Sequence, residues 1–133
     1  MTTDKRYNGW TNYETWAVKL WMDNEEGTST YWRERTRAVF VSAEPSFSFQ
    51  SPKDTARIDL ADELKREHEE NAPDLGASVF SDLLGAALSE VDWREIAAVL
   101  LDDMAEAATY DQDEAVLAAW NTPSADAADA SAK

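Results

Sequence analysis

Two groups of carboxylates in the second half of the chain have the spacing expected of a surface that binds positive charge. Side chains three or four residues apart share one face of a helix, and like charges at that spacing repel each other by roughly 0.2–0.5 kcal/mol. A row that destabilises its own helix is either a binding surface or a solvated face softened by Lys65 and Arg66, and the sequence leaves both interpretations open. The candidate partner-binding residues are Asp59, Glu63, Glu67 and Glu70 in one group and Asp102, Asp103 and Glu106 in the other.

The same residue types do not form a catalytic or metal site at a recognised spacing. His68 is the only histidine and the chain has no cysteine, which leaves no Ser-His-Asp order, no zinc-binding pair of histidines and no thiolate nucleophile. Asp102 and Asp103 are adjacent, so on a helix they point about 100° apart and are not a paired acid and base. We therefore expect no enzyme activity, no cofactor and no bound metal.

The net charge of −15 is concentrated in the second half of the chain. Residues 1–58 hold eight acidic and eight basic residues, whereas residues 59–133 hold 19 acidic and four basic ones. Phosphates would be repelled over most of such a surface, so direct binding of nucleic acid is not expected. The expected partner is a basic protein surface, attracted by a force that salt screens.

The first helix carries the clearest helical signal. Its predicted N-cap is Thr11, with Glu14 completing a capping box, and Gly27 provides a left-handed stop at the other end. One apolar stripe along this helix is expected to supply the largest part of the core. The stripe consists of Tyr13, Trp16, Ala17, Leu20 and Trp21.

Similar signals along the chain predict an all-α fold, a small bundle of about five helices with a disordered acidic C-terminal tail. Residues 1–10 are predicted to be a polar arm, residues 11–120 a single helical domain and residues 121–133 the tail. Phe47 and Phe49 are either core or contact residues, and the sequence does not decide between the two. The later helices are predicted from Ser29 or Thr30 to Val41, from Pro52 to Glu70, after Asp74 to Leu88, and from an N-cap at Asp92 to Ala108, with a possible short helix ending at Trp120.

Inward faces follow from the apolar spacing of these helices. In the fourth helix, nearly all of the apolar residues share one side. The only histidine, His68, continues the inward stripe of the third helix and is expected to be partly buried. Arg33 and Arg37 are expected to point outward, where they either neutralise acids of the second half or form a patch that recruits a partner. The predicted inward residues are Trp32, Thr36, Val39 and Phe40 in the second helix, Ala56, Leu60, Ala61 and Leu64 in the third, and Ile96, Val99, Leu100, Met104 and Ala107 in the fifth.

Two short blocks resemble a family of uncharacterised proteins from phages, plasmids and other mobile elements. The first is Asn12-Tyr13-Glu14-Thr15-Trp16, followed by Leu20-Trp21 and an acidic end, and the second is Trp93-Arg94-Glu95-Ile96-Ala97. The resemblance covers about a quarter of the chain. It implies a setting, a mobile element in a host cell, rather than a reaction, and it carries over no functional residue.

These observations favour a non-enzymatic interaction protein that binds a basic host protein in the host cytosol. In its sharpest form the hypothesis is a DNA mimic that inhibits a defence or DNA-processing system, and a homodimer is one way to gather enough acidic surface. No apolar run is long enough for secretion or for a membrane span. The alternatives are a plain structural protein, or a nucleic-acid accessory protein that contacts single strands through Arg33, Arg35, Arg37, Trp10 and Trp32.

Overall fold

The computed structural model describes residues 7–43 and 51–122. An all-α fold is confirmed, and within these ranges the helices number six rather than about five. Phe47, Phe49 and all but the first two residues of the predicted tail lie outside the described ranges. The helices are α1 (Tyr13–Asn24), α2 (Glu26–Ser42), α3 (Pro52–Glu70), α4 (Val79–Ser89), α5 (Trp93–Asp111) and α6 (Glu114–Trp120).

The core lies between α3 and α5, with α2 packed against both. The start of α3 is confirmed, because Ser51 and Asp54 form a capping box around Pro52. The buried stripe of α3 is also as predicted, and Ile96, Leu100 and Leu101 of α5 belong to the same cluster. The short helix α6 closes one end of the core, where Trp120 contacts the ring of Phe40 with centroids 5.6 Å apart.

The predicted break at Gly27 is wrong. Gly27 lies inside α2, and its φ is not positive. The chain turns instead at Glu25, whose extended backbone (φ −108°, ψ 118°) ends α1 and begins α2. A single extended residue redirects the chain without a left-handed glycine, so the second helix begins several residues before Ser29.

The predicted inward face of α1 is also wrong. Tyr13 is 54% exposed and Trp21 is 74% exposed, while Trp16 is half-buried within a cluster that includes the rings of Tyr7 and Tyr13. The buried residues of α1 are instead Thr15, Lys19 and Met22, at i, i+4 and i+7. Helix α1 is therefore rotated so that most of its aromatic stripe faces outward.

This rotation is fixed by contacts between the start of α1 and the junction of α4 with α5. Asn12, rather than the predicted Thr11, is the N-cap, and its side chain accepts from the backbone N–H of Thr15. The Thr15 hydroxyl is fully buried, donates to Asn12 Oδ1 (2.6 Å) and accepts from the Asp92 backbone N–H (2.9 Å). We call Thr11, Asn12 and Thr15 the N-terminal clasp.

Two further hydrogen bonds complete the clasp. Asn12 Nδ2 donates to the Glu90 carbonyl (2.6 Å), and the Thr11 N–H donates to Glu95 Oε1 (3.1 Å). Asp92 caps α5 as predicted, accepting from the Glu95 N–H. The clasp therefore brings together in space the two sequence blocks that resemble the mobile-element family. In each block, the polar residues that form these hydrogen bonds lie at the start of a helix.

His68 is half-buried at the end of the α3 stripe, as predicted. Its ring stacks on Trp32, with centroids 6.0 Å apart, and packs against Trp93 at 5.0 Å. Nδ1 lies 2.7 Å from the Leu64 carbonyl, so that nitrogen carries the proton and donates. This arrangement is a packing contact between α2, α3 and α5.

Helix α4 contributes least to the core of the six helices in the described ranges. Five of its apolar residues share one side, but none of its side chains is buried. Val79 and Leu83 are each 62% exposed, and Phe80 is 66% exposed. No helix in the described ranges is both long enough and apolar enough to cross a membrane.

Candidate functional site

The predicted acidic row of α3 is divided by its contacts with α2. Glu63 accepts two hydrogen bonds from the Arg35 guanidinium, both 2.7 Å, and its side chain is only 13% exposed. Glu67 accepts from the Tyr31 hydroxyl at 2.7 Å, which raises the pKa of that phenol. Asp59 and Glu70 are exposed. Two of the four predicted residues therefore join α2 to α3, and the row does not present four free carboxylates.

The predicted acidic group of α5 faces outward as a set. Asp102, Asp103 and Glu106 are all exposed. Within residues 7–43 and 51–122, none of their carboxylates forms an ion pair. We call these three residues the α5 acidic face, and its charge is available to a partner.

A pocket of about 300 Å³ opens beside this face, between α1, α2 and α5. Its volume is at the lower end of the range for ligand sites, roughly 300–1,000 Å³. The pocket combines an apolar floor with a charged rim. The floor is formed by Met22, Trp32, Leu100, Met104 and Ala108, and the charged residues around it are Lys19, Asp23, Arg33, Arg37, Asp103, Asp111 and Asp113.

Two ion pairs neutralise part of the rim. Lys19 is 7% exposed, and its ammonium lies 2.7 Å from both carboxylate oxygens of Asp23. Arg37 forms a bidentate pair with Asp113 (2.7 and 3.0 Å), which confirms that Arg37 neutralises an acid of the second half. The hydrogen bond from Arg37 also lowers the pKa of the Asp113 carboxyl.

The remaining charges of the rim are unevenly distributed. Arg33 donates to the Ser29 and Thr30 hydroxyls and, among the residues described, to no carboxylate. On the opposite helix, Asp103 and Asp111 form no ion pair inside those same ranges. With the two ion pairs set aside, two carboxylates face one guanidinium, so the rim favours a cationic group.

Asp103 marks the boundary between the α5 acidic face and the pocket. Partial burial of the carboxyl raises its pKa, and Asp23, Glu106 and Asp102 add to the rise. Lys19 opposes them by stabilising the charged form. A cation placed at this edge would relieve the repulsion among these carboxylates.

Replacing Asp103 with asparagine should stabilise the free protein at neutral pH, by less than about 1 kcal/mol because the residue is exposed to solvent. As pH rises, the unfolded chain releases the Asp103 proton first, since its pKa there is close to the ordinary value of about 3.9 and is lower than in the folded state. Ionisation of Asp103 therefore lowers the free energy of unfolding at pH values above both of these pKa values. At pH values below both, Asp103 is protonated in either state and has no such effect. Urea unfolding of both proteins from neutral to acidic pH measures the difference, and a gain that does not shrink toward low pH would contradict this assignment.

Sequence reasoning did not identify Asp111, Asp23 or Met22 as site residues, and it placed Met104 in the core rather than in a pocket. One signal was available, because Asp111 is eight residues after Asp103 and lies on the same face of a helix. Asp23 and Met22 carried no comparable signal, since the pocket depends on how α1 is rotated against α5. Within the described ranges, no group of three or more histidine or acidic side chains could hold a metal ion.

These features define a class of protein: small, acidic and all-α, with a charged pocket formed by three helices. Residues 3–131 match a family of unknown function, DUF7249, and the chain belongs to that family. Neither the curated proteins nor the solved structures give a significant match. The family is one of unknown function and therefore assigns no activity.

Proposed function

We propose that this protein is a non-enzymatic binding protein that engages a basic surface of another protein. The observation that carries the proposal is the α5 acidic face, whose three exposed carboxylates form no ion pair in the described ranges and border an open pocket. Carboxylates arranged in this way attract a cationic surface and speed its approach, with a strength that falls as salt increases.

The pocket suggests how such a partner is anchored. A lysine or arginine side chain has an apolar stem and a charged head. The stem fits the floor formed by Met22, Leu100 and Met104, and the head would lie at the rim near Asp103 and Asp111. An anchor of this kind combines apolar burial with charge pairing, as binding hot spots in other interfaces do.

The narrower form of the proposal is a DNA mimic from a mobile element that occupies the nucleic-acid site of a host protein. Duplex DNA carries one charge per roughly 1.7 Å of its axis, whereas acids at i and i+4 on a helix are roughly 6 Å apart. The α5 acidic face alone is therefore sparser than DNA. A mimic needs further exposed acids such as Asp111 and Glu114, or a second copy of the protein.

The single-strand alternative has fewer groups available than the sequence suggested. Arg35 and Arg37 are engaged by Glu63 and Asp113, and Trp32 is only 4% exposed. Arg33 is then the one arginine of the three that forms no ion pair in the described part of the chain. We therefore favour a protein partner over a nucleic acid.

The test is capture of proteins from a bacterial lysate at low and at high salt, with a variant that removes only the charge of the α5 acidic face. Asp102→Asn, Asp103→Asn and Glu106→Gln together lower the magnitude of the net charge by three. The matched control, Glu34→Gln with Asp62→Asn and Glu69→Gln, makes the same change at exposed acids on α2 and α3. We expect basic proteins to be retained by the wild type and the control at low salt, and to be lost by the α5 variant and at high salt.

Equal retention by the α5 variant and the control would show that the α5 acidic face is not the site. Retention of no basic protein by the wild type would overturn the proposal itself.

Ala107 gives an independent test of the pocket. This residue lines the pocket and is exposed, so Ala107→Phe should fill the space without disturbing the core. For the narrower form, duplex DNA should compete with this protein for the captured partner.

A further inference from the structure

Helix α4 presents an apolar face that no other part of the described structure covers. Val79, Phe80, Leu83, Ala86 and Ala87 are exposed and lie at i, i+1, i+4, i+7 and i+8, which is one side of a helix. Leu75, just before the helix, is also 40% exposed. We call the five helical residues the α4 face. Contiguous apolar surface of this kind marks an interaction site.

The helix that carries this face is held at both ends. Ser78 caps its N-terminus by accepting from the Ser81 N–H. At its C-terminus, the N-terminal clasp binds the Glu90 carbonyl and the Asp92 N–H. Leu84 and Leu88, on the other side of the helix, are half-buried. The α4 face is therefore presented outward by a helix with a defined position.

The segments outside the described ranges do not suit this face. Residues 44–50 join α2 to the start of α3, whereas α4 follows the end of α3, and a 19-residue helix is about 28 Å long. Seven residues span at most about 25 Å, and a segment anchored at both ends reaches out about half of that. Residues 1–6 contain one large apolar side chain, Met1, and residues 123–133 contain only Pro, Ser, Ala, Asp and Lys.

Charge distinguishes between the remaining occupants. Residues 75–89 contain a single ionisable side chain, Asp82, although the chain as a whole has a net charge of −15. A basic partner would find few acids to bind here and would be drawn to α5 instead. A second copy of this protein would be repelled at its other acidic surfaces but very little at this one.

We propose that the α4 face is a self-association surface, where the α4 helices of two copies pack against each other about a twofold axis. Such a contact is isologous, because the same face serves both partners. One short helix per copy covers less than the roughly 800 Å² per partner of a typical stable complex. The dimer is therefore weak, with a dissociation constant in the micromolar range.

Salt distinguishes this contact from the proposed binding of a basic partner. Two copies each carrying −15 repel each other, so screening by salt should strengthen the dimer. Binding of a basic partner should weaken as salt increases. The two interactions respond to salt in opposite directions, and either can fail without the other.

Sedimentation equilibrium of the full chain over a wide range of concentrations, at about 0.05 M and about 0.5 M salt, tests the proposal. We expect a monomer–dimer equilibrium that shifts toward dimer at higher salt. Phe80→Ser with Leu83→Ser should give a monomer throughout, with an unchanged melting temperature because α4 buries no side chain. The control, Tyr13→Ser with Trp21→Ser, removes exposed aromatic surface from α1 and should dimerise as the wild type does.

A wild-type protein that is monomeric at all concentrations and at both salt levels would overturn the inference. Dimerisation of the Phe80→Ser, Leu83→Ser variant equal to that of the wild type would also overturn it, by locating the contact elsewhere. Loss of dimer in the α1 control alone would assign the contact to the aromatic surface of α1. None of these outcomes bears on the binding of a basic partner through α5.

Discussion

Replacing Trp32 with alanine should lower the free energy of unfolding by about 3–5 kcal/mol, whereas the same replacement of Trp21 should change it by less than about 0.5 kcal/mol. Trp32 is 4% exposed and lies between the ring of Tyr31 (5.1 Å) and that of His68 (6.0 Å). Its removal leaves a cavity where α2, α3 and α5 meet. Trp21 is 74% exposed, so its removal leaves none.

Far-UV circular dichroism during urea unfolding is the appropriate measurement, because it does not depend on the tryptophans being changed. A loss of 3–5 kcal/mol is a large part of the 5–15 kcal/mol typical of a domain. If Trp32→Ala is unfolded without denaturant, the milder Trp32→Leu allows a value to be measured. Comparable losses for Trp21→Ala and Trp32→Ala would mean that α1 is rotated differently from the structure described above.

Replacing Thr15 with valine should lower the free energy of unfolding by about 1–3 kcal/mol. Valine has nearly the same shape as threonine, but it lacks the hydroxyl that donates to Asn12 Oδ1 and accepts from the Asp92 N–H. Both of those groups would lose a buried partner. The loss therefore measures hydrogen bonding rather than packing.

Thr15→Ser is the matched control, because serine keeps the hydroxyl and loses only a methyl group, which costs about 0.8 kcal/mol when buried. Hydrogen exchange at the Asp92 amide gives a local measurement, and exchange should be faster in Thr15→Val than in Thr15→Ser. Equal stability of the two variants, with equal exchange at Asp92, would show that the Thr15 hydroxyl does not join α1 to α5.

The sequence was most informative where the signal is local. The start of α3 was predictable because Ser51, Pro52 and Asp54 satisfy one another within a single turn. The outward position of the α5 acidic face was predictable for a similar reason, since the apolar residues of the same helix define its inner side. In both cases, the groups that decide the structure lie within a few residues.

Prediction failed where distant residues decide the structure. The rotation of α1 depends on a bond between Thr15 and Asp92, which are 77 positions apart, and nothing near Thr15 indicates that its hydroxyl has such a partner. Glu63 resembled a free carboxylate because its partner, Arg35, lies on another helix. The pocket was not predictable for the same reason, since it is formed only when α1, α2 and α5 have packed.

The N-terminal clasp also affects how this chain folds as it is synthesised. The residues it joins are 77 to 84 positions apart, so the first turn of α1 leaves the ribosome long before its partners in α5 exist. At about 5–20 residues per second, that interval is roughly 4–17 s. Until then α1 can bury neither Lys19 nor Met22 against α5, and closing such a long loop slows folding. Helix α1 is thus synthesised first but is among the last helices to reach its final position. An unfinished chain exposes it to proteases and chaperones.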